Sequence, residues 1–470
     1  MAVNRNLIDG VDEETLLEHP NIRMHRRGVV EDEVKSLRLD TQMVRAAFHN
    51  ETWTTDPLGR SVLNVPVYHN STVTFKSVAS LEYSMSDIPF NGMLYGIYDW
   101  GLTPLQKCRG RIRSRFLSIS QSCFLLRSQP RLGIHGNPTS FALEEAFAII
   151  EGGYSAVATS SGLAANNAAL MAFVEAGDHV LMTDGAYYPT KLFSQRILKK
   201  FGVGVTYYQP NIGPEEFSKL IQANTKAVYV ETPTSNSFVL SDVAMIVQKA
   251  HEAGAVVICD NSWGGSIFKP HDLGCDVVTN AASKLIAGHS DLILGLISAK
   301  DEQTYRKVKE IVTDLGCPPG PDDCYNALRG MRTLGVRLKH QAESALRIAE
   351  WLESRTEVAR VMHPALKSHP QNELFRRDFR GSSVLFGFQL RGFEHAAVVS
   401  MVENLKLFSL GFSWGGFKSL ITITELPNWD YGAELGETLR LSIGLEDPLD
   451  LVEDLKEGFQ ILRTHSTVGS

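Results

Sequence analysis

Three short stretches of this sequence carry residues whose chemistry is costly where they stand. In Val278-Thr279-Asn280-Ala281-Ala282-Ser283-Lys284-Leu285-Ile286-Ala287-Gly288-His289-Ser290-Asp291, a lone lysine lies between apolar runs that read as buried strands. A charge there costs free energy unless it is paired or lost. A desolvated lysine has a lowered pKa and becomes a nucleophile able to form a Schiff base. Taken alone, the stretch also fits an ordinary loop lysine that extends its ammonium to solvent. In Val256-Val257-Ile258-Cys259-Asp260-Asn261, a carboxylate ends an apolar run. It needs either a cation, such as a protonated ring nitrogen, or hydrogen bonds from the backbone. Ser160-Ser161-Gly162-Leu163 follows a third apolar run and opens a helical pattern. Free N–H groups and the helix dipole at such a junction suit a phosphate, and Gly162 lets the backbone come close. A tight turn with no ligand has the same sequence.

Together, a phosphate cradle, a strand-end acid and a desolvated lysine describe a site for pyridoxal 5'-phosphate. Lys284 would form the Schiff base, with Ser283 beside it as a further phosphate ligand. Asp260 would keep the ring nitrogen protonated so that the ring accepts electrons. Tyr187, in Ala186-Tyr187-Tyr188-Pro189, fits as a residue stacked on the ring, or either tyrosine fits as core. Arg440 sits inside the apolar run Thr438-Leu439-Arg440-Leu441-Ser442-Ile443-Gly444. Its planar fork matches a carboxylate, whether that of a substrate or of an internal acid.

Strands and helices in alternation must hold these residues. Asn137-Pro138-Thr139-Ser140 caps a helix over 141–150. Strands are expected at 155–159, 179–183, 203–208, 226–230, 255–259 and 275–279, with a last apolar run over 291–297. Between them fall helices at 163–174, 189–201, 214–222 and 241–253. This is an α/β pattern with a mainly parallel sheet covered on both faces, whose ligands bind at the carboxyl ends of the strands. Beyond it, helices near 302–313 and 335–354 and strands at 384–390 and 438–443 read as a smaller α+β domain. A short helical pattern over 40–48 and an extended run over 62–75 precede the regular part. The expected organisation is an N-terminal arm over 1–90, an α/β domain over 91–320 and an α+β domain over 321–470.

Composition narrows the function classes. The chain has 470 residues, 43% hydrophobic and 21% charged, which suits a globular protein of two or three domains. A net charge of −7 gives no general attraction to nucleic acid. The six cysteines form no CxxC pair and no paired Cys/His spacing, so neither zinc nor another metal is expected, and free thiols in a reducing compartment are. The acidic segment 1–20 has no apolar centre, so no signal peptide is expected. No apolar stretch reaches the roughly 18 residues of a membrane span. The cytoplasm is the default location. One segment departs from the rest: residues 97–130 carry Lys107, Arg109, Arg111, Arg113, Arg115 and Arg127 against the single acid Asp99. It reads as an inserted surface loop or as a basic arm for an anionic partner.

The motifs resemble those of the pyridoxal-phosphate-dependent enzymes of cysteine and methionine metabolism, which have the aminotransferase fold type I. Carrying the resemblance are Glu151-Gly152-Gly153, Gly177-Asp178-His179-Val180-Leu181-Met182, the Lys284 stretch, Leu334-Gly335-Val336-Arg337-Leu338, His363-Pro364-Ala365-Leu366 and Ile443-Gly444-Leu445-Glu446-Asp447. It covers about residues 36–96 and 131–465 and is broken by the basic insertion. The resemblance implies a seven-stranded-type sheet domain and a smaller C-terminal domain. It also implies that Lys284 binds the cofactor and acts as catalytic base. Asp260 would pair with the ring nitrogen and Tyr187 stack on the ring. Gly162, Leu163 and Ser283 would hold the phosphate, and Arg440 with Ser413 the substrate carboxylate. Trp414, in Phe412-Ser413-Trp414-Gly415-Gly416-Phe417, resembles the β-lyase pattern that γ-lyases and γ-synthases tend to lack. The implied reaction is β-elimination of L-cystathionine to homocysteine, pyruvate and ammonia in methionine biosynthesis. A γ-eliminating or γ-replacing relative and an inactive relative are the alternatives. A homotetramer with sites between subunits is implied too, in which Tyr95 reaches a neighbour's phosphate. The family carries an arginine directly after the pair that Tyr95-Gly96 resembles, whereas Ile97 follows here. Skipping the insertion brings Arg131 into that place.

Overall fold

A computed structural model describes residues 37–45, 67, 136–427, 430 and 435–466. Tyr95, Arg131, the extended run expected over 62–75 (residue 67 apart) and the insertion 97–130 lie outside the described residues. Helix α1 (Leu39–Arg45) and helix α2 (Pro138–Glu151) come first. Asn137 starts α2, its Oδ1 accepting the amides of Thr139 and Ser140 at 3.0 and 3.1 Å. Chain order then runs β1 (Ser155–Thr159), α3 (Gly162–Met171), β2 (His179–Thr183), α4 (Tyr188–Phe193), β3 (Gly204–Tyr208), α5 (Pro214–Leu220), β4 (Thr225–Glu231), α6 (Val243–Glu252), β5 (Val256–Asp260), β6 (Val277–Asn280) and β7 (Gly295–Ala299).

These seven strands form one sheet in the order β1-β7-β6-β5-β4-β2-β3. Strands β2 to β6 pair in parallel, and β7 runs antiparallel to both β1 and β6. Alternation along the strands explains why both faces are covered. Val228, Val230, Val257 and Cys259 pack into one core, while Ala227, Tyr229 and Ile258 point into another on the opposite side. With apolar residues on both faces, the strands read as unbroken apolar runs, as parallel sheets do.

The chain continues through α7 (Glu302–Leu315), α8 (Pro321–Met331), α9 (Leu334–Glu353), β8 (Val358–Met362), α10 (Asn372–Asp378), β9 (Leu385–Leu390), α11 (His395–Glu403), β10 (Ser409–Leu410), β11 (Leu420–Thr424), β12 (Thr438–Ser442) and α12 (Pro448–Ser466). The second sheet has the order β10-β11-β12-β9-β8 and is antiparallel except for the β10–β11 pair. Its core joins Phe386 and Phe388 to Ile348 and Leu352 of α9, Val398 of α11 and Leu455 and Phe459 of α12.

The α/β architecture expected from the sequence is present, with differences in detail. The helix expected over 189–201 is α4, then a wide π turn over Ser194–Leu198 and a tight 3₁₀ turn over Lys199–Phe201. The last strand of the first sheet starts at Gly295 rather than 291, because Ser283 holds Leu294 back: the Leu294 amide donates to its Oγ at 3.0 Å. The four described cysteines, Cys259, Cys275, Cys317 and Cys324, are free. Among the described residues no helix is long and apolar enough to cross a membrane.

Candidate active site

The carboxyl ends of β1, β4, β5 and β6 converge with the start of α3. At that start, the Ser161 side chain accepts the Ala164 amide at 3.0 Å. The amides of Gly162 and Leu163 are left without an acceptor among the described residues, as first-turn amides are. The first turn contains no acid. Position 162 must be glycine for a steric reason: a Cβ there would stand 2.6 Å from the Cβ and 2.9 Å from the Cα of Ala281. The segment leaving β6 therefore crosses directly beside the helix start, and Gly162 lies near the Lys284 stretch.

Two carboxylates end adjacent strands. Glu231 of β4 and Asp260 of β5 stand in register, and they are 9% and 7% exposed. Asp260 Oδ2 accepts from Asn166 Nδ2 at 2.9 Å and from the Tyr229 hydroxyl at 3.3 Å, and its Oδ1 accepts the Ser262 amide at 2.9 Å. Glu231 Oε2 accepts the Tyr187 amide at 2.7 Å, and its Oε1 lies 2.5 Å from Ser235 Oγ. Burial, and then the charge of Asp260, push the Glu231 carboxyl up to about 8. Among the described residues neither acid has a cationic partner. Tyr187, whose backbone Glu231 holds, is 47% exposed, so its ring faces open space.

Lys284 sits in the turn after β6, its amide donating to Ala281 O at 3.0 Å. Its Nζ donates to Ser413 Oγ at 2.8 Å and stands 5.7 Å from the centre of the Trp414 ring. Burial, and then the nearby Arg440 guanidinium, lower it to about 8, so a neutral amine is accessible near neutral pH. The Ser413–Gly416 stretch packs on this turn: Gly415, with φ +79°, passes so close that a Cβ would lie 3.0 Å from the Leu285 amide. Arg337 of α9 holds the far side of the turn, donating to Ile286 O at 3.1 Å.

Arg440 projects from the middle of β12. Its Nη1 donates to Asn236 Oδ1 at 3.2 Å, and its Nη2 to the Phe412 carbonyl. No carboxylate pairs with it among the described residues. Burial lowers its pKa, and the Tyr187 phenol acts in the opposite sense. A guanidinium in this state has an unused capacity for an anion.

The structure thus sets Lys284 beside Ser413, Trp414 and Arg440, sets Tyr187 and Asp260 on either side of Glu231, and sets Gly162 and Leu163 against the segment that leads to Lys284. Ser283 is adjacent, but its hydroxyl is already engaged, donating to Leu294 O at 3.2 Å and accepting the Leu294 amide. Sequence reasoning misses Asn166, Glu231 and Asn236. Asn166 had a signal, since it lies one helical turn after Gly162 on the same face of α3. Glu231 had one too, as an acid ending an apolar strand just as Asp260 does. Asn236 had none, because its role depends on a left-handed backbone, φ 67°, in the loop after β4.

The residues present fit pyridoxal phosphate by their chemistry. Unpartnered helix-start amides match its phosphate, uncompensated strand-end acids match its ring cation, and an amine of lowered pKa matches its aldehyde. Comparison with known proteins agrees. The profile of the family described as "Cys/Met metabolism PLP-dependent enzyme" matches residues 132–460, beginning just past the basic insertion. The L-alanine/L-glutamate racemase of Wolbachia pipientis wMel is 40% identical over 403 residues, covering 84% of this chain and 91% of that protein. The cystathionine beta-lyase of Escherichia coli K12 is 39% identical over 337 residues, covering 70% of this chain and 85% of that one. A crystal structure of cystathionine gamma synthase from Xanthomonas oryzae pv. oryzae in complex with cystathionine superposes with a TM-score of 0.74 at 27% identity. It covers 91% of this chain and 99% of that one. A lysine, an acid and a helix start arranged for one cofactor, together with a profile match over most of the length, place this chain in the Cys/Met metabolism family of pyridoxal-phosphate-dependent enzymes.

Proposed function

We propose that the protein is a carbon–sulfur lyase that cleaves L-cystathionine by β-elimination, releasing homocysteine, pyruvate and ammonia. The observation that carries this reading is the placement of Lys284 Nζ, 2.8 Å from Ser413 Oγ and over the Trp414 ring, near an Arg440 that no acid among the described residues pairs with. Arg440 binds the substrate α-carboxylate, aided by Ser413. That contact orients Cα toward Lys284. As a neutral amine, Lys284 takes the α-proton at Nζ. Bound pyridoxal phosphate supplies the electron sink for the pair released at Cα. As the bond from Cβ to sulfur breaks, the Lys284 ammonium returns the proton to the leaving thiolate. The three-carbon fragment is then hydrolysed by water to pyruvate and ammonia. Throughout, Asp260 stabilises the ring cation and Tyr187 covers the ring. Gly162 and Leu163 offer amides to the phosphate, with Ser283 able to join only by giving up Leu294.

We infer further that the working unit is a homotetramer in which Tyr95 and Arg131 complete the phosphate side of a neighbour's site. Trp414 favours β-elimination, since it resembles the β-lyase pattern. The γ-synthase and racemase likenesses keep two competitors, γ-chemistry at the same cofactor and simple α-proton exchange. Product analysis decides. Pyruvate with homocysteine from L-cystathionine is the expected result. 2-Oxobutyrate with cysteine would replace the reading by γ-elimination, and turnover of L-alanine to D-alanine without elimination would replace it by racemisation.

A further inference from the structure

The geometry points to Glu231 as a positioning residue that works as a neutral carboxyl and holds both walls of the substrate opening at once. One wall is Tyr187, whose amide donates to Glu231 Oε2 at 2.7 Å. The other is Arg440, reached through the loop after β4. Glu231 Oε1 meets Ser235 Oγ at 2.5 Å, and the next residue, Asn236, takes Arg440 Nη1 on its Oδ1 at 3.2 Å. Asn236 holds that position at φ 67°, in the left-handed region that asparagine enters more readily than other non-glycine residues. The Ser235 amide donates to Gly185 O at 3.0 Å, which closes the ring of contacts back to the Tyr187 turn. The ring-covering tyrosine and the carboxylate-binding arginine therefore share one buried anchor.

The charge balance assigns the proton. Facing Glu231 across the strand pair is Asp260 of β5, with Tyr229 of β4 donating to Asp260. At the exit of β2, Asp184 is already paired with Lys191 at 2.5 Å. No cation among the described residues pairs with Glu231 or Asp260, and one ring cation compensates one acid. Two ionised carboxylates side by side in a buried site are strongly disfavoured, so one keeps its proton. Asp260 already accepts three hydrogen bonds. Glu231 is the one raised, to about 8. Ser235 Oγ donates to Oε1 of the ionised form; with the proton on Oε1 that bond reverses, Oε1 donating to Ser235 Oγ, while Oε2 still accepts the Tyr187 amide. Both contacts then survive without a charge. Ionisation would set a second anion beside Asp260 and on the substrate's side of the site, which disfavours binding of the substrate carboxylate.

The inference rests on Tyr187 and Arg440 facing the substrate, as proposed above, but not on which bond breaks. The test uses E231Q and E231A. In the cofactor-free protein, infrared difference spectra at neutral pH should show a protonated carboxyl band in the wild type that is missing in E231Q. That band should fade as pH rises through about 8. In the loaded enzyme, with whichever amino acid it turns over, wild-type KM should rise over the same range while that of E231Q stays level. E231A should raise KM about tenfold with a smaller change in kcat, and E231Q, which keeps both hydrogen bonds, should recover most of that loss. A wild-type protein without the band, or an E231Q whose KM climbs in parallel with wild type, would overturn the inference, even if E231A does not fold.

Discussion

Replacing Lys284 with methionine should stabilise the cofactor-free protein below a pH of about 8, and the gain should vanish as pH climbs to the ordinary lysine value. The magnitude follows from the lowering of Lys284 from 10.5 to about 8, caused mainly by burial and then by Arg440. At about 1.4 kcal/mol per pH unit this bounds the cost of the buried ammonium near 3 kcal/mol. Because the amine is only half-buried and still meets water, solvent screening reduces it to about 1–2 kcal/mol. The sign follows from proton counts. Below about 8, folded and unfolded chains both carry the ammonium, and the folded one bears the whole desolvation cost. Between about 8 and 10.5 the folded amine is neutral while the unfolded one is charged, so the unfolded state binds more protons and wild-type stability rises with pH. Above that window the cost is gone. Methionine also changes apolar contact and removes the bond to Ser413, but these offsets do not depend on pH. Urea unfolding of both cofactor-free proteins across the window is the assay. A stability difference that stays constant from neutral pH past the window would refute a desolvated Lys284. In the loaded enzyme, the same variant should lose both the visible absorbance of the lysine-bound cofactor and turnover.

Three further perturbations probe the parts around that lysine. Gly162→Ala drives a Cβ against backbone atoms of Ala281, an overpacking of about 1–3 kcal/mol. It should weaken cofactor binding tenfold or more by titration, while Ala164→Gly, two residues further on, should not. Arg440→Lys keeps a charge but loses the fork, and should raise KM about ten- to hundredfold with kcat less affected; an unchanged KM would show that Arg440 does not bind the substrate carboxylate. Arg337→Lys cannot reach the Ile286 and Gly330 carbonyls together, which lie 3.1 and 2.9 Å from Nη2. It should lower stability by about 2–4 kcal/mol, read as a drop in the thermal midpoint.

Much of the site can be read from the sequence because its central residues interrupt apolar runs. Asp260 and Lys284 each stand where the strand pattern breaks, and Gly162 stands where strand turns to helix. What the sequence hides is why those positions matter. Gly162 is forced by Ala281, a neighbour across the sheet, and no local pattern records such a contact. Glu231 ends its strand as Asp260 does, yet only the register that sets the two side by side makes it a proton holder. The second sheet is less legible for a different reason. Strand β8 is short and has Arg360 at its centre, paired with Asp430 at 2.9 Å, so a charge breaks its apolar run. Strand β10 is two residues long. Helices α11 and α12 have ordinary apolar faces and could have been read from their spacing.

The motif Leu334-Gly335-Val336-Arg337-Leu338 shows what such a signature can mean physically. Its helix, α9, is a strut between the two sheets. Arg337 reaches one way, to the carbonyls of Ile286 and Gly330, and so fixes the turn that carries Lys284. Gln341, one turn further on and fully buried, reaches the other way, to the carbonyls of Gly416 and Ile443 at 2.9 Å each. The first of these belongs to the loop that bears Ser413 and Trp414, and the second follows the strand that bears Arg440. Carbonyls in irregular backbone cannot be buried without donors. A single helix therefore supplies donors to three segments that meet around Lys284. Apolar residues in those places would pack, but they would leave the carbonyls unpaired and the three segments free to shift against one another. On this argument the placement of Lys284 against Arg440 is set less by the segments that carry them than by two side chains of α9.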